Sequence, residues 1–242
     1  MEPIYRQQFE ISTIHLDCFG RMKPSMILYF AQEVAGSHCD QLGCNWEAMA
    51  AKGLFWAVIR HRIQINRLPC FGETITIETW PMPTTKTCYP RSMEARDQDG
   101  NLLFQVHSLW VIMDVASRAM VLPGKSGVEV NGILRGTELP TPPSIAPKAM
   151  EHTITRRVGF SELDRNGHMN NVRYLDWVND LLGSDFHRKN TPKEICLCYV
   201  NEAREGAELS LAWTQGEDNV LRVEVTDSNL NKRIFGASVN YA

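Results

Sequence analysis

One short stretch of the chain, "SELDRNGHMNNVRYLDWV" (161–178), concentrates side chains that can do chemistry. Asp164, Asn166 and His168 alternate along it, and the amide pair Asn170–Asn171 follows. A carboxylate, a carboxamide and an imidazole at this spacing can activate water and stabilise an oxyanion. The next residues read as a nearly apolar helix. The polar group therefore lies at the mouth of a buried helix, where unpaired N–H groups favour negative charge.

Helix capping is the simpler explanation for part of this stretch. Asn170 or Asn171 would accept a hydrogen bond from a helix N–H group, and Asp164 would lie nearby for the same reason. Capping explains one or two polar residues, but not Asp164, Asn166, His168 and Asn170 together. We therefore also predict a site where negative charge develops on a substrate oxygen, with helix N–H groups and a side-chain amide forming an oxyanion hole.

A second polar element is Glu202, within "CYVNEAREG". The pattern predicts a strand over 194–203 and places Glu202 inside it. If this side chain faces solvent, it is an ordinary surface glutamate of an alternating strand. If it faces inward, burial and His168 would compete to set its protonation. A histidine and a glutamate beside an amide donor form a workable set for activating water. The sequence leaves both orientations open.

The chain contains an internal repeat at an offset of 147 residues. "LDCFGRMKPSMILYFAQEVAGS" (16–37) aligns without a gap on "LDRNGHMNNVRYLDWVNDLLGS" (163–184). About one or two identities would be expected by chance at ordinary residue frequencies. Seven of the 22 positions are identical, namely Leu16/Leu163, Asp17/Asp164, Gly20/Gly167, Met22/Met169, Leu28/Leu175, Gly36/Gly183 and Ser37/Ser184.

The two copies of the repeat differ at the positions that carry chemistry. Where the second copy has Asn166 and His168, the first has Phe19 and Arg21. The aspartate and the glycine of the turn persist in both copies, so the turn is predicted to persist. We therefore expect one unit to be catalytic and the other to form a wall or a pocket.

The surrounding patterns predict two α+β units. In the first, a strand and a helix opened by Pro24 and stopped by Gly43 precede further strands. Its predicted strands are 5–11, 55–65, 73–81, 88–97 and 101–114. The second unit repeats the order, with a helix over 171–187 and strands at 153–160, 194–203, 207–216, 220–227 and 232–242. We assign the N-terminal unit to 1–130, a Pro-rich linker to 131–152 and the C-terminal unit to 153–242.

The second predicted helix indicates the fold class. A helix that is apolar nearly all round is a buried one. A bent antiparallel sheet wrapped around a central helix meets that description. This is the hotdog arrangement, and two units in one chain predict an α+β double hotdog. The apolar residues of this helix cover almost its whole circumference, namely Val172, Tyr174, Leu175, Trp177, Val178, Leu181, Leu182 and Phe186.

Composition excludes several other classes of protein. The formal net charge of −3 gives no basic field for nucleic acid or for an acidic membrane surface. No apolar run approaches the roughly 20 residues of a membrane span, and the N-terminus has no signal-peptide pattern. Seven cysteines, an odd number without a CxxC pair, argue against a disulfide scaffold or a zinc site. We expect no metal and no cofactor, and a cytoplasmic location.

The polar stretch resembles the signature of the acyl-acyl carrier protein (acyl-ACP) thioesterases, which reads roughly S-D/E-L-D-x-N-x-H-x-N-N-V-K/R-Y-x-x-W. "GRMKPSMILYFAQEVAG" (20–36) resembles the first helix of that family, and "GETITIETWP" (72–81) resembles its strand ending in Trp-Pro. The likeness spans essentially the whole chain and is weakest over 115–152. It implies a double hotdog fold and hydrolysis of fatty acyl groups from ACP, which ends chain elongation.

The resemblance also implies roles for individual residues. Asp164, Asn166 and His168 match the Asp-x-Asn-x-His of the family, and Glu202 matches the glutamate of its Tyr-x-x-Glu-Cys. Ala203 stands where plant members often have cysteine, so a cysteine nucleophile cannot operate there. In the mechanism we favour, Asn166 and helix N–H groups hold the thioester carbonyl, His168 and Glu202 activate water, and Asp164 orients Asn166 or His168. Direct attack by Glu202 to form an acyl anhydride remains the alternative.

The resemblance assigns the apolar pocket for the acyl chain to the first unit. The candidates for binding the acyl chain are four residues of the first helix and two tryptophans: Met26, Ile27, Tyr29, Phe30, Trp46 and Trp56. Two further candidates for substrate binding, Asn170 and Asn171, lie at the start of the second helix. The implied partner is ACP carrying a fatty acyl phosphopantetheine thioester, with no nucleic acid and no membrane. The protein is expected to be a monomer or a homodimer. A coenzyme A thioesterase, another hotdog enzyme and a non-catalytic acyl-binding protein remain as alternatives.

Overall fold

The alternating apolar runs that predict strands form an antiparallel sheet in each of two units. The computed structural model describes residues 2–216 and 218–241. The first unit comprises Met1–Lys23 and Tyr29–Pro142, and the second comprises Pro24–Leu28 and Pro143–Ala242. The predicted domain ranges include residues 1, 217 and 242, which lie outside the described residues. Within the described ranges, no helix combines the length and hydropathy needed to cross a membrane.

The strands of the first unit are β1 (Tyr5–Glu10), β2 (Leu54–Ile65), β3 (Thr74–Pro81), β4 (Tyr89–Arg96), β5 (Leu102–Asp114) and β6 (Met120–Val121). Their order in the sheet is β1-β3-β4-β5-β2, and the short strand β6 pairs with β5. The five predicted strands are confirmed to within two residues at each end.

Helix α1 (Pro24–Leu42) has the predicted bounds. Proline opens it because its fixed φ suits the first turn, and Gly43, with φ of 68°, ends it in the left-handed region. Phe30 is buried and its ring centroid lies 4.6 Å from that of Phe9 on β1, so this part of α1 packs on the sheet of the first unit. Two short helices, α2 (Trp46–Ala50) and α3 (Pro123–Ser126), were not predicted.

The strands and helices of the second unit are β7 (His152–Arg157), α4 (Asn171–Asp180), α5 (Ser184–Lys189), β8 (Pro192–Tyr199), β9 (Glu208–Gln215), β10 (Val220–Asp227) and β11 (Lys232–Tyr241). The strand order in its sheet is β8-β11-β10-β9-β7. The sheet packs on α4, since the buried Tyr174 ring of α4 stacks 4.9 Å from the Phe235 ring of β11.

Three predicted bounds in the second unit are wrong. The strand over 153–160 ends at Arg157, before the 3-10 turn Phe160–Glu162. The single helix over 171–187 divides into α4 and α5, because Gly183 is extended and forms the N-cap of α5. The strand over 194–203 ends at Tyr199. Beyond it, the N–H groups of Val200 and Asn201 both donate to the carbonyl oxygen of Ile234, at 2.8 and 3.2 Å. Two successive N–H groups can share one acceptor only where the chain leaves the regular ladder, so Glu202 lies in a loop.

The structure confirms the repeat. The first strands β1 and β7, the 3-10 turns Thr13–His15 and Phe160–Glu162, and the starts of α1 and α4 are each separated by the same 147 residues. The turn glycines match as well, with φ of 77° at Gly20 and 75° at Gly167. The sequence identities therefore reflect two copies of one strand–loop–helix scaffold.

The predicted linker contains neither helix nor strand from residue 131 to residue 151. Its first part lies along the sheet of the first unit. The Ile133 N–H donates to the Pro81 carbonyl oxygen at 2.9 Å, and the Leu139 carbonyl oxygen lies 3.0 Å from Nδ1 of His107. The boundary between the two units, at Pro142 and Pro143, falls inside this segment. Proline at these positions suits an extended segment because it has no N–H to leave unpaired.

Candidate functional site

The polar stretch forms a tight loop between the 3-10 turn and α4. The Asp164 N–H donates to the carbonyl oxygen of His168 at 2.7 Å, and the Gly167 N–H donates to that of Asp164 at 3.0 Å. Oδ1 of Asp164 accepts from the backbone N–H groups of Asn166 and His168, at 2.8 and 3.2 Å. The Asp164 carboxylate therefore binds the backbone of the loop, not the side chains of Asn166 and His168. It can affect the placement of those two side chains only through the backbone that carries them.

His168 and Glu202 lie together in the structure. Nε2 of His168 is 3.2 Å from Oε2 of Glu202. The imidazole is 10% exposed and the carboxylate is 40% exposed, so the pair has one buried and one solvent-facing member. Of the two orientations that the sequence left open, facing solvent or facing inward, Glu202 matches neither fully. It is exposed and also reaches His168, and it lies in a loop rather than in a strand.

Backbone hydrogen bonds fix the loop against the segment that carries Glu202. The Met169 N–H donates to the Ala203 carbonyl oxygen at 2.8 Å, and His168 and Arg204 form an isolated antiparallel bridge. The hydrogen bond between Met169 and Ala203 thus joins the residue after His168 to the residue after Glu202, and we call this bond the junction at Ala203. The 3.2 Å distance between the two side chains is set by backbone pairing as well as by their rotamers.

The start of α4 is capped in the predicted way. The side-chain oxygen of Asn170 accepts from the Val172 N–H at 3.0 Å, and its carbonyl oxygen accepts from the Arg173 N–H at 2.9 Å. The Asn171 carbonyl oxygen accepts from the Tyr199 hydroxyl at 3.1 Å. Two N–H groups of the first turn are thus occupied within the protein. Asn166 is exposed at the loop tip, so its carboxamide is the more accessible donor for a substrate oxygen.

Tyr174 and Tyr199 adjoin the site, although sequence reasoning treated Tyr174 only as an apolar residue and did not single out Tyr199. Burial raises the pKa of the Tyr174 hydroxyl, the Ala203 backbone hydrogen bond lowers it, and the carboxylates of Glu202 and Asp164 raise it again. The net effect is to raise this pKa, so the hydroxyl stays protonated at neutral pH. The repeat contained a usable signal, because it aligns Tyr174 with Ile27 of its first copy.

The corresponding place in the first unit has the same backbone and different side chains. Oδ1 of Asp17 again accepts from two backbone N–H groups, those of Phe19 and Arg21, at 2.8 and 3.0 Å. The Arg21 guanidinium binds Asp17 at 3.1 Å and lies over the Phe19 ring. The Met22 N–H donates to the Pro69 carbonyl oxygen just as the Met169 N–H donates to that of Ala203, so buried Leu68 occupies the position of Glu202. An ion pair and a leucine thus stand where the second unit has its imidazole and carboxylate.

The six candidates for acyl-chain binding in the N-terminal half differ in burial. Ile27 and Phe30 are fully buried, whereas Tyr29 and Trp46 are 42% and 44% exposed. Met26 is half-buried on α1. Trp56 on β2 is half-buried, donates its indole N–H to the Cys44 carbonyl oxygen at 2.9 Å and packs edge-on against Tyr89. Tyr29 and Trp46 are therefore less suited to an enclosed apolar tunnel than the other four residues.

No cluster of three or more metal-ligating side chains occurs in the part of the chain that the structure describes. A cleft of about 390 Å³ lies on the sheet of the first unit and is lined by charged and polar residues of β4, β5 and the linker segment, including Glu94, Arg96 and Arg135. Its polar lining is unlike the apolar surface that an acyl chain needs.

Two family models match the chain. One describes the acyl-ACP thioesterase N-terminal domain and matches residues 2–122, and the other describes the C-terminal domain and matches residues 146–239. The palmitoyl-acyl carrier protein thioesterase of Gossypium hirsutum is 25% identical over 255 residues, covering 96% of this chain and 57% of that protein. The enzyme of the same name from Arabidopsis thaliana is 25% identical over 236 residues, covering 89% and 56%. The chain thus spans somewhat more than half the length of these curated relatives.

Solved structures resemble the fold over its whole length. The acyl-ACP thioesterase from Bacteroides thetaiotaomicron superposes with a TM-score of 0.87 at 22% identity, covering 99% of this chain and 98% of that one. The 12:0-ACP thioesterase from Umbellularia californica gives a TM-score of 0.86 at 19% identity, covering 100% and 98%. These likenesses establish the double hotdog fold. Since the two family models together match both units, the chain belongs to the acyl-ACP thioesterase family.

Proposed function

We propose that this protein hydrolyses the thioester bond of fatty acyl-ACP and releases the free fatty acid. Family membership supports the substrate class, and the 3.2 Å contact between His168 and Glu202 is the single observation that carries the chemistry. In this proposal residues 153–242 carry the catalytic groups. Residues 1–130 form the acyl-chain pocket, and residues 131–152 link these two ranges. The partner is ACP, and the protein acts in the cytoplasm, where its seven free thiols stay reduced.

The proposed reaction begins with water attacking the carbonyl carbon of the thioester. The His168–Glu202 pair takes one proton from this water, because the half-exposed carboxylate of Glu202 reaches solvent. The Asn166 carboxamide donates a hydrogen bond to the oxyanion that forms. When the C–S bond breaks, the pair returns the proton to the phosphopantetheine thiolate. The water oxygen ends on the fatty acid, and no cofactor or metal is required.

The proposed substrate-binding roles follow from how deeply each candidate side chain is buried. Ile27, Phe30, Met26 and Trp56 are the stronger candidates for the acyl pocket because they are buried or half-buried. Asn170 and Asn171 act mainly by capping and anchoring the start of α4.

In an alternative route, Glu202 attacks the thioester carbonyl directly and forms an acyl anhydride, in place of activating water. Single-turnover hydrolysis in ¹⁸O-water separates these routes, because only the anhydride route inserts solvent oxygen into the Glu202 carboxylate.

The test of the function is a panel of acyl-ACP thioesters from C6 to C18 with free-thiol release as the readout. We expect His168→Ala and Glu202→Gln to lower kcat/KM by about 10²- to 10⁴-fold, the usual contribution of general acid–base groups. Asn166→Ala should lower it by about 10²-fold, as expected for one oxyanion donor. Glu205→Gln, which changes an exposed carboxylate of the same loop, is the matched control and should retain wild-type activity.

Two results would contradict this function. Equal or faster turnover of coenzyme A thioesters of the same chain length would favour a coenzyme A thioesterase. Retention of activity in Glu202→Gln, or acyl-ACP binding with no turnover by the wild type, would remove the His168–Glu202 pair from the chemistry.

A further inference from the structure

Three aromatic rings pack together on elements that adjoin the His168–Glu202 pair in sequence. Tyr174 on α4, Tyr199 at the end of β8 and Phe235 on β11 have ring centroids 4.9 to 5.9 Å apart. Tyr174 is 3% exposed and Phe235 is fully buried. Glu202 follows Tyr199 by three residues, and the loop that carries His168 leads into the helix that carries Tyr174. The cluster therefore lies where the two chain segments of the site meet.

Both tyrosine hydroxyls lie against the backbone at this meeting point. The Tyr199 hydroxyl donates to the Asn171 carbonyl oxygen at 3.1 Å, which ties the end of β8 to the start of α4. The Tyr174 hydroxyl lies against the backbone of Ala203, the residue after Glu202. The Ala203 carbonyl oxygen accepts from the N–H of Met169, the residue after His168, at 2.8 Å. The Tyr199 hydroxyl thus meets the start of α4, and the Tyr174 hydroxyl meets the Glu202 segment where that segment is bonded to the His168 loop.

The first unit provides an internal comparison, because it has the same backbone hydrogen bonds. The Met22 N–H donates to the Pro69 carbonyl oxygen at 2.8 Å, just as the Met169 N–H donates to that of Ala203. The N–H groups of Asn66 and Arg67 share the Leu103 carbonyl oxygen, just as those of Val200 and Asn201 share that of Ile234. These pairs align the end of β2 with the end of β8, residue by residue.

The side chains at the aligned positions lack the hydroxyls. Ile27 stands in place of Tyr174, and Ile65 stands in place of Tyr199. Pro69, which has no N–H, stands in place of Ala203, and Leu68 stands in place of Glu202. The scaffold therefore forms without either hydroxyl. Both hydroxyls occur in the unit with the imidazole–carboxylate pair, and both are replaced where that pair is replaced.

We propose that the hydroxyls of Tyr174 and Tyr199 are positioning groups that hold the Glu202 segment against the helix tip, so that Glu202 reaches His168. This inference rests on the proposed function, in which that pair activates water. Because the aligned positions fold with isoleucine, the hydroxyls act on the geometry of the pair rather than on the formation of the unit. A reacting pair displaced by about 1 Å loses a large part of its rate.

The test removes each hydroxyl and keeps the ring, with Tyr174→Phe and Tyr199→Phe. The matched control is Tyr241→Phe, because Tyr241 is also a buried tyrosine of the second unit and its hydroxyl has no protein partner among the described residues. We expect kcat for acyl-ACP to fall about 10- to 100-fold in the first two variants, with KM and the melting temperature close to those of wild type. The control should remain within about 2-fold of wild type, since it removes an unpaired group.

A double-mutant cycle shows whether the hydroxyls act through Glu202. In the Glu202→Gln background, Tyr174→Phe and Tyr199→Phe should lower the residual rate by less than about 2-fold, since the group they position is already lost. A readout independent of activity is the ¹⁵N chemical shifts of the His168 imidazole. These shifts should change in Tyr174→Phe and Tyr199→Phe toward those of Glu202→Gln, and should stay at wild-type values in Tyr241→Phe.

The proposal is overturned if both tyrosine variants keep the wild-type kcat, if their losses persist undiminished in the Glu202→Gln background, or if the His168 shifts do not move. If the wild type does not turn over acyl-ACP, the proposed function fails. The imidazole shifts would still report whether the two hydroxyls hold the pair together, so the two failures remain distinguishable.

Discussion

Asp164 carries two backbone hydrogen bonds on one carboxylate oxygen. Oδ1 accepts from Asn166 and His168, and Asp17 repeats this arrangement in the first unit, where no imidazole follows. The recurrence indicates that the aspartate serves the turn in both units. Its role at the site is then to place the side chains of Asn166 and His168, and a neutral acceptor of the same shape should perform it nearly as well.

Substitution of Asp164 tests this role. Asp164→Asn keeps an oxygen that can accept both N–H groups, so kcat for acyl-ACP should stay within about 3-fold of wild type. Asp164→Ala leaves both N–H groups without that acceptor, at a cost of about 1–3 kcal/mol, so kcat should fall about 10- to 100-fold. Steady-state kinetics of both variants decide the matter. Equal losses in both would mean that the negative charge acts on His168 directly.

Glu202 and His168 combine groups with different access to solvent. The buried imidazole contacts the carboxylate, and the half-exposed carboxylate can also meet water. A carboxylate buried without a partner would be costly, and one fully in solvent would not be held in place. The loop after β8 provides the intermediate position, which a regular strand with alternating faces would not.

At the scale of elements, the loop between the 3-10 turn and the helix depends on one glycine in each unit. Gly167 and Gly20 have φ of 75° and 77°, and a Cβ built on either would meet no atom within 4 Å. A substitution at either position therefore carries a conformational penalty without a steric clash. Side chains other than glycine pay about 1–2 kcal/mol in this region.

The two glycines form a matched pair of variants. Gly167→Ala and Gly20→Ala should each lower the free energy of unfolding by about 1–2 kcal/mol, because each forces alanine into the left-handed region. Only Gly167→Ala should also lower kcat, since its loop carries Asn166 and His168. Urea unfolding and acyl-ACP kinetics on the two proteins provide the comparison. Loss of kcat in Gly20→Ala of the same size would show that the effect is general destabilisation.

Much of the fold could be predicted because the repeat and the strand alternation are local signals. Pro24 and Gly43 bounded α1 correctly because they restrict or permit particular backbone angles. The end of β8 was missed because apolar alternation continues through Val200, whereas the chain turns where two N–H groups share one carbonyl oxygen of β11. That turn depends on a partner strand more than 30 residues away, which local periodicity does not contain.

In the candidate site, too, contacts within one loop could be predicted from the sequence, whereas contacts between distant segments could not. Asp164, Asn166 and His168 fall in one loop, so their spacing alone predicted that they would be close. The approach of Glu202 to His168 depends on the junction at Ala203, and the family resemblance, not the periodicity, pointed to it. Tyr199 was missed because its hydroxyl binds the helix start across 28 residues of chain.

At the scale of the whole molecule, two copies of one scaffold have diverged in the side chains around the start of the helix. The backbone hydrogen bonds of the strand–loop–helix segment recur in both units, while the ion pair Arg21–Asp17 and Leu68 replace the imidazole and the carboxylate. The first unit therefore pairs its loop charges with each other and lacks an imidazole–carboxylate pair. It is consistent with a first unit that shapes an apolar pocket and a second unit that performs hydrolysis.

The buried histidines of the first unit give the molecule a predicted acid sensitivity. Burial lowers the pKa of His61 to about 3, and its Nδ1 lies 2.9 Å from the Ser108 hydroxyl oxygen. Burial also lowers the pKa values of His38 and His107. Below the unfolded pKa of 6.5 the unfolded chain binds protons that the folded unit excludes. Stability is therefore full above pH 6.5 and declines from there down to about pH 3.

His61→Gln tests this prediction, because glutamine can keep a hydrogen bond to Ser108 and does not titrate. In the wild type, His61 should contribute a loss of about 1.4 kcal/mol in the free energy of unfolding for each pH unit between about 6 and 4. The variant should be less stable than wild type at pH 7 and show a shallower decline on acidification. Urea unfolding at pH 7, 6, 5 and 4 measures both slopes. Parallel declines in the two proteins would mean that His61 already binds its proton in the folded state.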